Sequence, residues 1–206
     1  MRPPTGQIPL ARFVFREYPV SMAQTTPAGE YPARYECELP LPRHGKLRVR
    51  PIRPDDEERL KDLFSRHSAE TVYQRYFTPL KSLPPALVKR FVSVDYVNDM
   101  ALVACREAGG REQFVAVGRY FKNPADGFAE VAITVDDPWQ KKGIGSFLLE
   151  RLAQIARDNG IRGFTASMLA TNLGMMRLFT HVLGKHDSHY ADGLQHVRKA
   201  FAKCRH

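Results

Sequence analysis

Residues 130–145 constrain the fold more than any other stretch of this chain. Glu130-Val131-Ala132-Ile133-Thr134-Val135 is rich in β-branched residues and reads as a buried strand. Asp136-Asp137-Pro138-Trp139 reads as a tight turn, and Gln140-Lys141-Lys142-Gly143-Ile144-Gly145 as a glycine loop opening an amphipathic helix from Ser146 to Asn159. A helix entered through Gly143 and Gly145 leaves its first backbone N–H groups unpaired, with the positive end of the helix dipole behind them. That combination is a cradle for an anion, and glycine lets phosphate oxygens reach the main chain without meeting a Cβ. The same residues are also compatible with a strand-to-helix turn that holds no ligand.

Around this unit the hydrophobic period switches between two and 3.6. Lys46 to Arg53 alternates basic and apolar residues as a half-exposed strand does, and Pro54-Asp55-Asp56 starts a helix with Leu60, Leu63 and Phe64 on its apolar stripe. A second short helix from Ser68 carries Val72, Tyr73, Tyr76 and Phe77, and a third covers Pro85 to Val92. Three strands follow, 100–105, 113–120 and 128–135, joined by short loops containing Gly109-Gly110 and Pro124-Ala125-Asp126-Gly127, as in an antiparallel meander. Beyond the helix that Asn159-Gly160 stops come a strand at 164–168, a helix from Asn172 to Gly184 and a last strand at 195–201. The order predicts a mixed α/β fold: a central, mostly antiparallel sheet flanked by helices, without an internal repeat.

At 206 residues and 43% apolar content the chain supports one domain, expected at 45–206, behind an arm at 1–44 that holds eight of the fifteen prolines. Phe13, Phe15, Tyr18, Tyr31 and Tyr35 in that arm suggest packing against the domain or against a second copy in a homodimer. Three distant cysteines, at 37, 105 and 204, form neither a disulfide framework nor a zinc pattern. With no stretch of signal-peptide or membrane-span length, a soluble cytoplasmic protein is expected. The net charge of +9 is scattered among acidic residues without a long basic run, which favours a polyanionic small ligand or an acidic protein over nucleic acid. Five of the seven histidines lie between 181 and 206, but no Cys or carboxylate accompanies them at ligand spacing, so no metal is expected.

Gln140-Lys141-Lys142-Gly143-Ile144-Gly145 resembles the Gln/Arg-x-x-Gly-x-Gly/Ala signature of GCN5-related N-acetyltransferases (GNAT), whose fold has this order of elements. Arg50-Pro51-Ile52-Arg53-Pro54-Asp55-Asp56, Tyr73-Gln74-Arg75-Tyr76-Phe77, Ala129-Glu130-Val131-Ala132 and Asn172 to Met175 are similar to the acetyltransferase domain of bacterial Pat-type protein lysine acetyltransferases, over about residues 45–184. The resemblance implies that acetyl-CoA is the co-substrate. It places Val135, Gln140, Lys141, Lys142, Gly143, Ile144, Gly145 and Ser146 around the pyrophosphate and pantetheine, with Ile133 near the thioester carbonyl, and the contacts of Asn172, Met175 and Phe179 along the CoA arm. It further implies transfer to a protein lysine, the family's typical acceptor being the catalytic lysine of an AMP-forming acyl-CoA synthetase. Residues 1–44 are too short for the regulatory nucleotide-binding domain that many relatives attach, so control by such a ligand is not expected.

The residues agree with this chemistry. Only a neutral amine attacks a thioester, so a lysine ammonium of pKa about 10.4 must lose a proton to a nearby base. Glu130, an acid in an apolar strand, is the candidate, and the matching glutamate is the general base in Pat-type domains; the bland reading is a solvated strand residue sharing a face with Thr134. The Ile133 amide or a water would hold the oxyanion. Asn172 suits a helix cap, with or without a CoA contact, and Met175, Met176 and Phe179 equally suit a core. Many relatives place a tyrosine where Phe179 stands, so no general acid is assigned, and Tyr190, the nearest in sequence, carries no role. After Gly184 the run Lys185-His186-Asp187-Ser188-His189-Tyr190 departs from the family's strand pair. A small-amine or N-terminal acetyltransferase, or a non-catalytic acyl-CoA-binding module, would share the same CoA half-site.

Overall fold

The computed structural model describes residues 29–202. Strands are Cys37–Leu41 (β1), Gly45–Pro51 (β2), Asp99–Ala108 (β3), Arg111–Lys122 (β4), Ala129–Val135 (β5), Gly163–Met168 (β6), Asp187–Ala191 (β7) and Leu194–Ala200 (β8). Helices are Glu57–Arg66 (α1), Ala69–Tyr76 (α2), Pro85–Val92 (α3), Ile144–Asp158 (α4) and Leu173–Leu183 (α5). The expected mixed α/β architecture forms: one eight-stranded sheet in the order β1-β2-β3-β4-β5-β6-β8-β7, antiparallel throughout except where β5 meets β6.

Two elements differ from the sequence reading. The arm expected to end at residue 44 gives way earlier, because Cys37–Leu41 pairs antiparallel with residues 45–49 of β2 and becomes an edge strand of the sheet. Its prolines sit where they cost little: Pro40 is on a strand with an open side, which needs no ladder donor there. Tyr35 is buried in the core and Tyr31 meets Tyr96 edge-to-face at 6.0 Å, whereas Phe13, Phe15 and Tyr18 lie outside the described residues. Second, Asp187–Ala191 is a strand after all, paired with β8 across the Asp192-Gly193 turn, where both residues have positive φ (52° and 81°). Its side chains are exposed on both faces, which is why no apolar alternation announced it.

Alternation along the strands assigns the two faces of the sheet. Gly118 of β4 is opposite Ile133, and a Cβ added there would lie 3.0 Å from Leu152 and 3.3 Å from Leu148, so α4 packs on the face that carries Ile133. Arg119, opposite Ala132, is on the other face; it donates to the Phe91 carbonyl at 3.0 Å and its guanidinium stands 4.0 Å from the Phe91 ring centroid, which puts α3 over the face that carries Glu130, Ala132 and Thr134. Leu148, Leu149, Leu152, Ile155 and Ala156 are buried as the helical spacing predicts.

Two polar devices fix the helices beside the future site. Arg50 is 1% exposed and bidentate to Asp56, at 2.7 and 2.8 Å, while Glu112 of β4 closes the other side of the guanidinium. Asp56 also accepts from the Arg53 amide at 2.7 Å and from Arg59 at 3.0 Å, so β2, the start of α1 and β4 share one buried charge cluster. Farther along, Asp137 in the turn after β5 accepts from the Ser68 amide at 2.9 Å, the Ser68 hydroxyl at 2.9 Å and the Thr71 hydroxyl at 2.8 Å. A carboxylate at the N-terminus of α2 satisfies orphan donors and meets the positive end of the dipole. Burial works to raise the Asp137 pKa, and the Ser68 and Thr71 hydrogen bonds outweigh it, so the carboxyl is held below its ordinary value.

Replacing Asp56 leaves a buried guanidinium with one carboxylate partner in place of two, so Asp56→Ala is expected to cost about 3 kcal/mol, read as a lowered urea midpoint at unchanged slope. Asp137→Ala is expected to cost roughly 1–2 kcal/mol, the size of a lost helix cap. Because its folded pKa is depressed, the stabilisation by Asp137 is present above the unfolded value of about 3.9 and is lost as pH falls through the folded one. Urea midpoints of the parent and the Asp137→Ala variant should therefore converge below about pH 4.

Candidate active site

The parallel pairing of β5 with β6 lasts for two residues, Ala129 with Phe164 and Glu130 with Thr165, and then the strands part. Ladder geometry tells which backbone groups this leaves over. The Asp136 amide donates to the Val115 carbonyl at 2.8 Å, so in the β4–β5 register residues 134, 132 and 130 bond to β4 while 135, 133 and 131 turn their N–H and C=O groups away from it, towards β6. Past the splay, β6 no longer meets them, and Ile133 presents a free ladder edge to the opening. Val135 does the same, with its carbonyl taken by the Gln140 side-chain amide at 3.1 Å.

The opening is a cleft of about 460 Å³, within the range of small-molecule sites. Its walls come from β5, with Glu130, Ile133 and Val135; from the loop and first turn of α4, with Gln140, Lys141, Gly143, Gly145 and Ser146; and from α5, with Asn172 and Met175. Both faces of β5 contribute, so the cleft passes through the sheet at the splay.

At one end is the glycine loop. Lys141 and Gly143 both have positive φ, 60° and 83°, a left-handed conformation that glycine takes freely and lysine at some cost. The first helical bond of α4 runs from the Phe147 amide to the Gly143 carbonyl, at 3.0 Å, which leaves the Ile144, Gly145 and Ser146 amides without a helical acceptor. Gly145 is held to its size by its neighbours as well: a Cβ would approach Leu178 of α5 to 3.3 Å and Ile133 to 3.8 Å. Gln140 braces the loop from behind, through Val135, Thr71 at 3.2 Å and Asp137 at 3.4 Å. Asn172 caps α5, accepting from the Met175 amide at 3.0 Å.

At the other end is Glu130, half-buried and the one carboxylate among the described lining residues; Arg75, Lys141 and Arg177 supply positive charge, and His181 is also in the wall. The arrangement offers backbone donors and positive charge for an extended anion, a strand edge for an amide-bearing chain, and a carboxylate beyond it.

Three of the residues expected around a cofactor do not line the cleft. Phe179 is completely buried against His186, ring centroids 5.1 Å apart, and Ile144 is 1% exposed in the core; both point their side chains inward from helices whose opposite faces meet the cleft. The Lys142 side chain is also outside the lining, although its neighbours Lys141 and Gly143 are in it. Tyr190 is 65% exposed on the edge strand β7. Conversely, Thr71, Gln74 and Arg75 of α2, Ser167 and Met168 of β6, and Gly174, Arg177, Leu178 and His181 of α5 line the cleft without having been singled out. The first and last sets sit at helical i, i+3, i+4 and i+7 spacing, a signal that was available but had no partner surface to give it meaning. Among the described residues, no three His, Cys, Asp or Glu gather as a metal site, and no helix is long and apolar enough to cross a membrane.

Known proteins share this architecture. The model of the acetyltransferase (GNAT) family matches residues 65–184. A Pseudomonas aeruginosa protein, acetyltransferase PA5475, is 32% identical over 130 residues, 63% of this chain and 70% of that one. Acetyltransferase Pat of Mycolicibacterium smegmatis is 34% identical over 131 residues, and the match spans 63% of this chain and 38% of that relative's length. Among solved structures, the GNAT domain of S. lividans PAT is 36% identical with a TM-score of 0.73, covering 84% of this chain and 100% of that one. A cAMP-binding acyltransferase from Mycobacterium smegmatis is 25% identical with a TM-score of 0.55, over 81% of this chain and 48% of that one. With the family model matched across more than half of its residues and a solved GNAT domain 36% identical at a TM-score of 0.73, the chain belongs to the GNAT family of acetyltransferases.

Proposed function

We propose that this chain transfers the acetyl group of acetyl-CoA to a protein lysine by direct attack in a ternary complex, with Glu130 as the general base. The observation that carries the reading is the order of groups along one cleft: unpaired amides at the start of α4, the free edge of Ile133 and Val135 at the splay, and then Glu130. The first group suits the pyrophosphate, because preorganised N–H groups and a helix dipole hold negative charge without reorganising. The second suits the pantetheine amides, which can extend the abandoned ladder as an added strand would. Ile133 then brings an amide to the thioester carbonyl, where it would hold the oxyanion.

Glu130 takes the ammonium proton and the freed amine attacks. Its half-buried place beside the thioester end gives it access to the acceptor while keeping water partly away. The likeness to Pat-type acetyltransferases supports a protein lysine, and the AMP-forming acyl-CoA synthetases are the acceptor class proposed from it. The reading gives the protein acetyl-CoA and a synthetase as partners and the cytoplasm as its place of work.

Intact-protein mass spectrometry of an AMP-forming acetyl-CoA synthetase, incubated with acetyl-CoA and this chain, is expected to show one added acetyl group. Glu130→Gln should slow that addition by about 10²–10⁴-fold, the usual contribution of a general base, at nearly unchanged acetyl-CoA affinity. Acetyl-CoA binding without acetylation of the synthetase would move the acceptor to a small amine or a protein N-terminus; absence of binding would remove the transferase reading.

A further inference from the structure

A row of polar side chains leads away from the cleft across three strands. Ser167 of β6 is directly opposite His196 of β8, and His196 is directly opposite His189 of β7, so the three project from one face. It is the face of Glu130, because Thr165, which pairs with Glu130, lies two residues before Ser167 on the same strand. Ser167 lines the cleft. Its Oγ is 3.1 Å from His196 Nδ1, His196 Nε2 is 3.2 Å from the Ala191 carbonyl oxygen, and the His189 ring stacks on His196 at 5.1 Å and 22°. His189 is exposed on the edge strand, so the row joins the cleft to solvent.

The partners assign the tautomer. A carbonyl oxygen only accepts, so Nε2 carries a hydrogen; in the neutral imidazole Nδ1 then offers a lone pair and the Ser167 hydroxyl donates to it. With its hydrogen engaged, Oγ keeps its own lone pairs for whatever stands in the cleft.

Acetyl transfer to an amine moves two protons. The ammonium gives up the first before attack, and the nitrogen gives up the second as the C–N bond forms and the C–S bond breaks. A single carboxylate holds only one of them. Phe179, at the spacing where relatives carry a tyrosine, has no proton to give and is shut in the core.

Resting on the transferase reading above, the geometry points to Ser167 as a second catalytic proton-transfer group, with His196 as the positioning residue that works through it. The second nitrogen proton passes to Ser167 Oγ while the hydroxyl hydrogen moves to His196 Nδ1. Return along the same two bonds delivers a proton to the departing CoA thiolate. The balance closes: one proton leaves on the CoA thiol, the other reaches solvent from Glu130, and Ser167 and His196 end as they began. No other reactant is required.

The test follows CoA thiol release by the full chain, with acetyl-CoA as donor and an AMP-forming acetyl-CoA synthetase or poly-lysine as acceptor, for the unaltered protein, Ser167→Ala, Ser167→Thr, His196→Asn, His196→Ala and Glu130→Gln, with thermal melts to confirm folding. Ser167→Ala and His196→Asn are expected to lower kcat about 10–100-fold with KM for acetyl-CoA unchanged. The Ser167→Ala, His196→Asn double variant should fall no further than either single one, since the two act as a unit. Ser167→Thr, which keeps the hydroxyl, and His196→Ala supplied with imidazole should each recover several-fold of the loss. A kcat within twofold of the parent, a loss confined to KM, or loss without either recovery overturns the relay while leaving the transferase reading standing on Glu130→Gln. No CoA release by the unaltered chain overturns both.

Discussion

The site depends on a strand pairing that stops. β6 is pulled to one side by six paired residues of β8, with Gly163 so close to β8 that an added Cβ would lie 2.2 Å from the Lys199 carbonyl. β5 is pulled to the other side by seven paired residues of β4. The two parallel strands can satisfy each other for only two residues before those commitments separate them. What remains is a row of main-chain groups that neither strand can complete; Gln140 takes the Val135 carbonyl, and the others are left to water or a ligand in the cleft. A chain with alternating amide donors and acceptors answers that need.

Everything else around the splay keeps it from closing or drifting. The glycine loop and α4 stand against one face, and α5 touches them where Gly145 meets Leu178. On the other face the Arg50–Asp56–Glu112 cluster fixes the start of α1, and Asp137 fastens α2 to the turn that leads into the loop. Asp137 thereby serves two walls of the cleft: it caps the helix that brings Thr71, Gln74 and Arg75 to one, and it sits against Gln140, which braces the loop that forms the other. The cleft is lined by backbone amides and cationic side chains and by one carboxylate among the described residues, Glu130, the proposed base. Opposite electrostatic tasks a short distance apart are what a base beside an anionic co-substrate requires, since a carboxylate close to phosphates would repel them.

Where the reading of residues went astray, the cause was local. β1 was hidden by its shortness and by Pro40 within its five residues, and β7 by side chains exposed on both sides. A strand whose pairing is the only reason for its existence leaves no hydrophobic period to read. Because a helix turns 100° per residue, the side chains of Phe179 and Ile144 fall on the core side while Met175, Gly145 and Ser146 fall on the cleft side, and Ile144 faces the loop only through its backbone amide. Asn172 was legible as a cap because capping needs only its own helix.

The sequence by itself determined the anion cradle, since Gly143, Gly145 and the amphipathic stripe of α4 are local facts about a dozen neighbouring residues, and it determined the strand-helix order and the place of Glu130 in an otherwise apolar strand. Only the tertiary structure decided what those parts face. The splay follows from a competition between β4 and β8 for strands far apart in the chain, the free edge of Ile133 from a register that sequence does not display, and the meeting of Ser167 with His196 from a β6–β8 pairing across a separation of 29 residues. Local chemistry is written in neighbouring residues; proximity between distant ones is set by packing the whole sheet.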